Sequence, residues 1–240
     1  SHFKSWLSEP KDGQSVSPPE LGCLGPARET RMHVTISPTS GTADEGKLFQ
    51  TEGLRFGICE EGRLSRALRL GLAVETERAT TLAGVSGFGG ERRLSAWRPV
   101  KAELPTLPDA IAQAIEKQRA LRLILVTPAF FEAGWKPGAF LRGELGLPCE
   151  LAGAIVGRPE VVAGWDLALG RAKPSRRLAA AGSVYFLRLA GDIPAASLRP
   201  ALEALWLRSV SDTEQARHDG FGIAVLGSWD GRLATLEGGN

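Results

Sequence analysis

Alternation of hydrophobic and polar residues dominates the N-terminal half of the chain. Residues 32–36 and residues 68–74 both show a period of two, which predicts half-buried strands, because successive side chains of a strand point to opposite faces. Residues 47–59 predict two further short strands around a break at residues 51–53. Proline, serine and glycine recur without periodicity in residues 1–30, so this stretch is predicted to be loop or linker rather than core.

Helical periodicity appears in the C-terminal half. Residues 108–119 and 195–210 space their aliphatic side chains along one side, which predicts two amphipathic helices. The aliphatic run of residues 121–127 is stopped by Pro128 and predicts a strand buried on both faces. Residues 184–189 and 223–226 predict strands that flank the second helix.

Strand-helix-strand order therefore occurs twice, with hairpins inserted. This order favours an α+β fold in which helices cover one face of antiparallel sheets, and ferredoxin-like units fit the pattern.

Composition and charge narrow the class of protein. The 240 residues are 43% hydrophobic and carry 29 Lys+Arg against 27 Asp+Glu, a formal net charge of only +2. A nucleic-acid partner would have to be held by local basic patches, in which arginine prevails. Three scattered cysteines, Cys23, Cys59 and Cys149, form no metal or redox motif and are expected to be reduced and buried. No signal peptide or membrane span is recognisable, so we expect a cytoplasmic protein with no membrane contact.

Two glycine-rich segments could bring bare backbone close to a polyanion. The first segment precedes two arginines, and the second repeats a glycine-aromatic-glycine element. Glycine permits positive φ and has no Cβ, so amide groups could point at a phosphate while guanidinium groups neutralise it. The first segment matches neither a dinucleotide fingerprint nor a P-loop. The alternative is a tight turn with solvated arginines. The candidate RNA-binding residues are Gly87, Gly89, Gly90, Arg92 and Arg93 in the first segment, and Gly220, Phe221 and Gly222 in the second.

A basic segment, residues 171–177, strengthens the nucleic-acid hypothesis. It contains Arg171, Lys173, Arg176 and Arg177 and no acidic residue. Such a segment can follow a phosphate backbone, and its alternative interpretation is a solvated charged loop. Trp97, Trp135 and Trp165 lie beside the candidate segments and could stack bases, although most tryptophans are expected to pack in the core.

Catalytic motifs are scarce. Neither a nucleophile elbow nor an H-E-x-x-H zinc motif is present, and the histidines are only three: His2, His33 and His218. His218 and Asp219 resemble half of a metal-phosphohydrolase signature, but we expect them in a loop before Gly220. We therefore expect no catalytic residue, no cofactor and no metal site. The alternative is a metal-dependent nuclease that uses His218, Asp219 and His33.

An ordered series of segments resembles a known family. The segments are residues 31–36, 45–53, 89–93, 125–135, 164–166, 173–177, 181–186 and 220–222. Together, over about residues 28 to 230, they resemble the third subunit of the Cmr complex of type III-B CRISPR systems. These are RAMP-superfamily proteins related to the fifth Cas family.

The resemblance implies two ferredoxin-like RAMP units. Residues 1–105 would be the remainder of an N-terminal unit with inserted hairpins, and residues 106–240 a C-terminal unit. Family members open with a hydrophobic strand that has no counterpart here, so the first unit is expected to be incomplete.

The resemblance also implies a non-catalytic role in antiviral defence. The subunit would hold the 5′ handle of the CRISPR RNA (crRNA) at the foot of the effector complex. It would dock on the large polymerase-like (Cas10-type) subunit, neighbour other RAMP subunits and meet target RNA only indirectly. The alternative within the superfamily is a metal-dependent RAMP endoribonuclease that processes precursor crRNA.

Overall fold

In the computed structural model, the chain forms two compact units. Unit 1 comprises Ser1–Ser15 and Leu104–Asn240, and unit 2 comprises Val16–Glu103. The described residues are 2–11, 17, 20, 25–60, 63–78, 81–89, 93–101, 103–191 and 193–233.

The described elements run in the following order along the chain. They are helix α1 (His2–Ser8), strands β1 (Ala27–Ile36), β2 (Ala43–Arg55), β3 (Gly57–Glu60), β4 (Arg63–Ala67), β5 (Gly84–Gly87) and β6 (Leu94–Trp97), helix α2 (Asp109–Gln118), strand β7 (Ala120–Leu125), helix α3 (Gly138–Leu141), strands β8 (Cys149–Ile155), β9 (Glu160–Val162), β10 (Trp165–Asp166), β11 (Arg171–Ala172), β12 (Arg176–Leu178) and β13 (Val184–Leu189), helices α4 (Ala195–Leu205) and α5 (Glu214–His218), and strand β14 (Ala224–Ser228).

A four-stranded sheet forms the centre of unit 1. Its spatial order is β14-β7-β13-β8, and every neighbouring pair is antiparallel. All six residues of β7 are buried, which confirms the predicted strand that is covered on both faces. The mixed α+β class with antiparallel sheets is thereby confirmed.

Helices α2 and α4 pack together and against the sheet. Ile111 and Ile115 of α2 and Leu198 and Leu202 of α4 are buried in the common core. Arg199 ties the two helices together, because it donates to Glu116 and Asp109 at 2.8 Å each. Both predicted helices are confirmed, with one correction to the second.

Helix α4 ends at Leu205, five residues before the predicted end. Trp206 already has an extended backbone, and Leu207 has a positive φ of 57°. The chain then forms hydrogen bonds with the start of β14 and the residues just before it. Leu207 N donates to the carbonyl of Ala224, and Val210 N donates to the carbonyl of Gly222. These long-range hydrogen bonds override the helical periodicity of residues 206–210.

The N-terminal stretch contains a helix, which corrects the prediction of loop throughout residues 1–30. Leu7 of α1 is buried in the core of unit 1. The buried side chain of Arg122 in β7 donates to the carbonyls of Trp6, Leu7 and Ser228. Its guanidinium lies 4.5 Å from the centroid of the Trp6 ring. A helix this short depends on such tertiary contacts, so it leaves little trace in local sequence.

Unit 2 is a set of hairpins, in which β1 pairs with β2, β3 with β4 and β5 with β6. The strand predicted at residues 32–36 is confirmed as part of β1, but Met32, Val34 and Ile36 are exposed rather than half-buried. The break predicted at residues 51–53 is wrong, since β2 continues to Arg55. No regular strand forms among the described residues 68–74, which corrects a further prediction.

Candidate nucleic-acid interface

The second glycine-rich segment forms a compact loop in unit 1, which we call the glycine loop (residues 220–222). Gly220 and Gly222 both have φ of 81°. A Cβ on Gly220 would meet open space, whereas one on Gly222 would lie 2.5 Å from Ser211 Oγ and 2.8 Å from Ser211 N. Glycine is therefore required at residue 222 by both conformation and close packing.

The amides of the glycine loop are all used inside unit 1. Gly220 N donates to Arg217 O, Phe221 N to Ala216 O, and Gly222 N to Pro128 O, at distances of 2.8–3.1 Å. The expectation that these amides point at a phosphate is therefore wrong for this loop. RNA contact by Gly220, Phe221 and Gly222 stays a prediction, and it would need other atoms than the amides.

The basic segment (residues 171–177) spans two antiparallel pairings. β11 pairs with β10 in a small hairpin, and β12 pairs with β9. Its four cationic side chains, those of Arg171, Lys173, Arg176 and Arg177, are all exposed. None of them forms a salt bridge within the described part of the chain. No carboxylate of the described residues lies within 4.0 Å of these cationic groups, although Asp166 of β10 is the cross-strand partner of Arg171.

Phe130 connects the basic segment to the glycine loop. The guanidinium of Arg176 lies over the Phe130 ring, 5.2 Å from its centroid. Phe130 N donates to Ser211 Oγ at 3.1 Å, and Ser211 Oγ donates to the carbonyl of Phe221 at 2.9 Å. The structure thus brings two of the three predicted segments together in unit 1.

Nothing in the amino-acid sequence predicts that Ser211 connects the two segments. Ser211 is fully buried, and it reaches Phe130 across 81 residues of chain. Phe130 itself was visible as an aromatic residue near a tryptophan, but its arginine partner lies 46 positions further along and could not be paired with it from sequence.

The first glycine-rich segment lies in unit 2, at the turn between β5 and β6. Gly89 has a φ of 83° and open space where a Cβ would be, and Phe88 N donates to Arg93 O at 2.9 Å. The guanidinium of Arg93 packs on Gly53, where a Cβ would lie 2.4 Å from Arg93 Nη1. Gly87 ends β5 as the partner of Leu94. Gly90 and Arg92 lie outside the described residues.

The tryptophans beside these segments are not core residues. Trp135 is 48% exposed and Trp165 is 60% exposed, which corrects the expectation of packing. Trp97 is half-buried, contacts Phe88 edge to face and donates to Ser86 Oγ. The exposed indole of Trp165 therefore lies shortly before the basic segment in sequence, and the exposed indole of Trp135 lies shortly after Phe130.

Trp135 belongs to a rigid turn. Gly134 has a φ of 77°, and its amide donates to the carbonyl of Phe131 at 3.0 Å. The hydroxyl of Tyr185 in β13 donates to the carbonyl of Trp135 at 2.7 Å. Burial raises the pKa of the Tyr185 phenol above its ordinary value, so this donor remains protonated.

The residues of the alternative nuclease hypothesis belong to both units, with His33 in unit 2 and His218 and Asp219 in unit 1. His33 in β1 stacks on Phe49 and contacts Thr51 Oγ1, whereas His218 is the last residue of α5 rather than part of a loop. His218 has Glu214 as its neighbour at 3.9 Å. Within the described ranges, no group of three or more His, Cys, Asp or Glu residues could hold a metal ion.

Two further expectations concern cysteines and membranes. Cys149 is a free, buried thiol, as expected, whereas the side chains of Cys23 and Cys59 lie outside the described structure. No helix among the described elements has the length and apolar character needed to cross a membrane.

Comparison with known proteins decides the family. A family model described as CRISPR-associated protein (Cas_Cmr3) matches residues 1–229. The chain belongs to this family. The resemblance drawn from the ordered sequence segments is thereby confirmed. No curated protein matches this Cmr3-family sequence.

Solved chains with some likeness to this Cmr3-family chain come from type III-B Cmr-beta complexes. One is a complex bound to cognate target RNA, with 14% identity and a TM-score of 0.38 over 67% of this chain and 44% of that chain. Another is the complex bound to cognate target RNA and AMPPnP, with 14% identity and a TM-score of 0.39 over 68% of this chain and 46% of that chain. This chain therefore spans less than half the length of these solved chains.

Proposed function

We propose that the protein is a non-catalytic, crRNA-binding subunit of a type III-B CRISPR (Cmr) effector complex in antiviral defence. It holds the 5′ handle of the crRNA at the foot of the complex and docks on the large polymerase-like subunit. Membership of the Cmr3 family supports the assignment to such a complex. The observation that carries the RNA-binding part is the basic segment, whose four cations are exposed and form no salt bridge with the described residues.

The sheet of unit 1 supports a ferredoxin-like RAMP unit. Numbered by chain order, its strands β7, β8, β13 and β14 lie in the spatial order four-one-three-two, all antiparallel. A helical segment follows β7 and helix α4 follows β13, which gives the β-α-β-β-α-β order of ferredoxin-like folds. The assignment of residues 1–105 to the remainder of a second RAMP unit stays a prediction.

Side chains, rather than backbone amides, perform the binding in this proposal. Guanidinium groups suit phosphate oxygens because their planar fork donates several hydrogen bonds at fixed geometry. Arg176 lies over Phe130, and this contact holds the cation in place while its edge stays exposed. Exposed aromatic rings favour single-stranded RNA, whose unstacked bases are accessible, over duplex RNA.

Docking on a protein partner is supported by unit 2. On one side of the β1–β2 hairpin, the apolar side chains of Met32, Val34 and Leu48 lie at neighbouring register positions and are 42–62% exposed. Leu54, on the same side, lies apart from them as the partner of Arg28. Adjacent exposed apolar side chains such as the first three are typical of protein interaction sites. RNA would then contact unit 1, and the protein partner would contact unit 2.

The proposal is tested by the double variant Arg176→Ala/Arg177→Ala. We expect weaker binding of crRNA 5′-handle RNA, and a salt dependence whose slope falls by about 1.4, since each neutralised phosphate of a single strand contributes about 0.7. The matched control is Lys4→Ala/Lys117→Ala, which removes the same charge from exposed positions on α1 and α2. Affinity is measured at several salt concentrations by fluorescence anisotropy.

Two outcomes would contradict the proposal. Equal slopes in the wild type and in the arginine variant would remove the basic segment from the RNA-binding surface. Cleavage of precursor crRNA by the purified protein, dependent on divalent metal and lost in His218→Ala, would favour the nuclease alternative. Co-purification with the large subunit is expected to persist in the arginine variant, because docking uses another surface.

A further inference from the structure

A groove beside the basic segment is not explained by phosphate binding alone. It has a volume of about 590 Å³ and is lined by Trp135, by Ala154 at the end of β8, by Val156 and Pro159 beyond it, and by Arg177 of β12. The volume lies within the range of small-molecule sites, which are mostly apolar with a few well-placed polar groups. The groove therefore has room for a nucleobase together with its ribose.

Arg177 is the charged residue of the groove lining. No acidic side chain lines the groove, and Arg177 forms no salt bridge with the residues that the structure describes. A flat apolar ligand without charge would leave this guanidinium unused, and a cationic ligand would be repelled. The combination of apolar walls with one cation matches a ligand that has both a planar ring and an anionic group.

The strand geometry separates the two arginines of β12. Successive side chains of a strand point to opposite faces. Arg176 accordingly lies over Phe130, and Arg177 lines the groove. A single strand of RNA that meets both residues would pass from one side of β12 to the other, with one phosphate available to each guanidinium.

Trp135 is an exposed aromatic residue on a turn whose backbone is fixed by hydrogen bonds. Its backbone is fixed by the turn at Gly134 and by the hydrogen bond from the Tyr185 hydroxyl, yet 48% of the residue is exposed. Because the backbone that carries the indole is already ordered, less conformational entropy is lost there when a ligand binds.

We infer that this groove is a base-binding site: one unpaired base of the bound RNA stacks on Trp135, and Arg177 contacts the adjacent phosphate. The inference rests on the proposed function, since it names the part of the RNA that the basic segment positions. It assigns base contact to Trp135 and phosphate contact to Arg177.

The test compares two probes, an oligoadenosine RNA and an abasic ribose-phosphate oligomer of the same length. Stacking needs a base, so Trp135→Ala is expected to weaken oligoadenosine binding roughly 5- to 150-fold and to leave the abasic oligomer unaffected. Trp135→Phe keeps an aromatic ring and should retain most of the affinity. Arg177→Ala should weaken both probes.

The outcomes separate this inference from the proposed function. If the wild type binds neither probe at physiological salt, both are wrong. If the wild type binds both probes but Trp135→Ala changes neither affinity, or changes both equally, the groove is not a base site while RNA binding stands. Unchanged RNA affinity with lost co-purification of the large subunit would instead make Trp135 a protein anchor and would overturn the inference.

Folding of the Trp135→Ala variant is checked by circular dichroism and thermal melting. Should that variant unfold, ultraviolet crosslinking of oligoadenosine to the wild type decides the question. Crosslinks that fragmentation of the tryptic peptide assigns to Trp135, rather than to Phe130 in the same peptide, support the base site. Crosslinks confined to other residues overturn it.

Discussion

Replacing Gly222 by alanine is expected to destabilise unit 1 by about 2–4 kcal/mol. A left-handed backbone costs a non-glycine residue about 1–2 kcal/mol, and residue 222 has φ of 81°. The new Cβ would also lie 2.5 Å from Ser211 Oγ and 2.8 Å from Ser211 N, and overpacking of this kind costs about 1–3 kcal/mol. A smaller entropy of the unfolded chain offsets about 0.4–1 kcal/mol.

Gly220→Ala is the matched control for this prediction. Residue 220 has the same φ of 81°, but its Cβ would meet open space. Its expected cost is therefore about 1 kcal/mol, from conformation alone. Urea denaturation followed by tryptophan fluorescence measures both variants, and the difference between them isolates the close approach of Ser211.

Equal destabilisation by the two substitutions would refute the packing argument at Gly222. RNA binding gives a second criterion. Because the amides of the glycine loop already donate to carbonyls in unit 1, the folded fraction of either variant should bind RNA as the wild type does. A large loss of affinity in folded Gly220→Ala would show that this loop contacts RNA directly.

Two further predictions concern buried groups of unit 1. Arg122→Met leaves the carbonyls of Trp6, Leu7 and Ser228 without their donor, so we expect a loss of about 3 kcal/mol in urea unfolding and faster proteolysis of α1. A normal rate of cleavage would contradict the role of Arg122 in holding α1. Burial raises the pKa of the Cys149 thiol from 9.0 to about 12, so the folded protein keeps this thiol protonated over a range in which the unfolded chain ionises it. The free energy of unfolding is therefore expected to fall as pH rises from about 9 towards 12. At mildly alkaline pH, iodoacetamide should modify the Cys149 peptide only at the rate at which the protein unfolds. Rapid modification under native conditions would contradict this prediction.

The elements of unit 1 follow from sequence because their hydrophobic residues are buried. Strands β7 and β13 and helix α2 were predicted to within about two residues. The aliphatic run of β7 is buried throughout, and the helical periodicity of α2 matches its buried side. Helix α1 could not be predicted in this way. Its stability depends on Arg122, more than a hundred residues away along the chain.

Periodicity was less informative in unit 2. The alternating residues 68–74 form no strand, and the alternating residues of β1 leave their apolar side exposed. Alternation predicts a strand because it implies a core to bury one face. In β1 the pattern therefore predicts the strand but not its burial, and at residues 68–74 it predicts neither.

The candidate site was only half predictable, for a related reason. Charge is a local property, so the basic segment could be located from composition and found exposed. Hydrogen-bond use is not local: the amides of the glycine loop are occupied by Pro128, Ala216 and Arg217, which the sequence does not place beside them. Residues 220–222, which the sequence predicted to be a phosphate-binding loop, instead form a tightly packed turn.

This difference between backbone and side-chain contacts has a consequence for specificity. In the proposed binding mode, guanidinium groups and aromatic rings of unit 1 bind the RNA. The phosphate contacts of the guanidinium groups make part of the affinity depend on salt, and stacking on the rings makes another part depend on unpaired bases. Stacking tolerates every base, because each has a π-face. The basic segment and the Trp135 groove would then distinguish single strands from duplexes but not one handle sequence from another. Discrimination between handle sequences would require hydrogen bonds to base edges, and the apolar walls beside Trp135 offer few of them. A handle with all its bases exchanged should therefore bind this chain almost as well as the natural one.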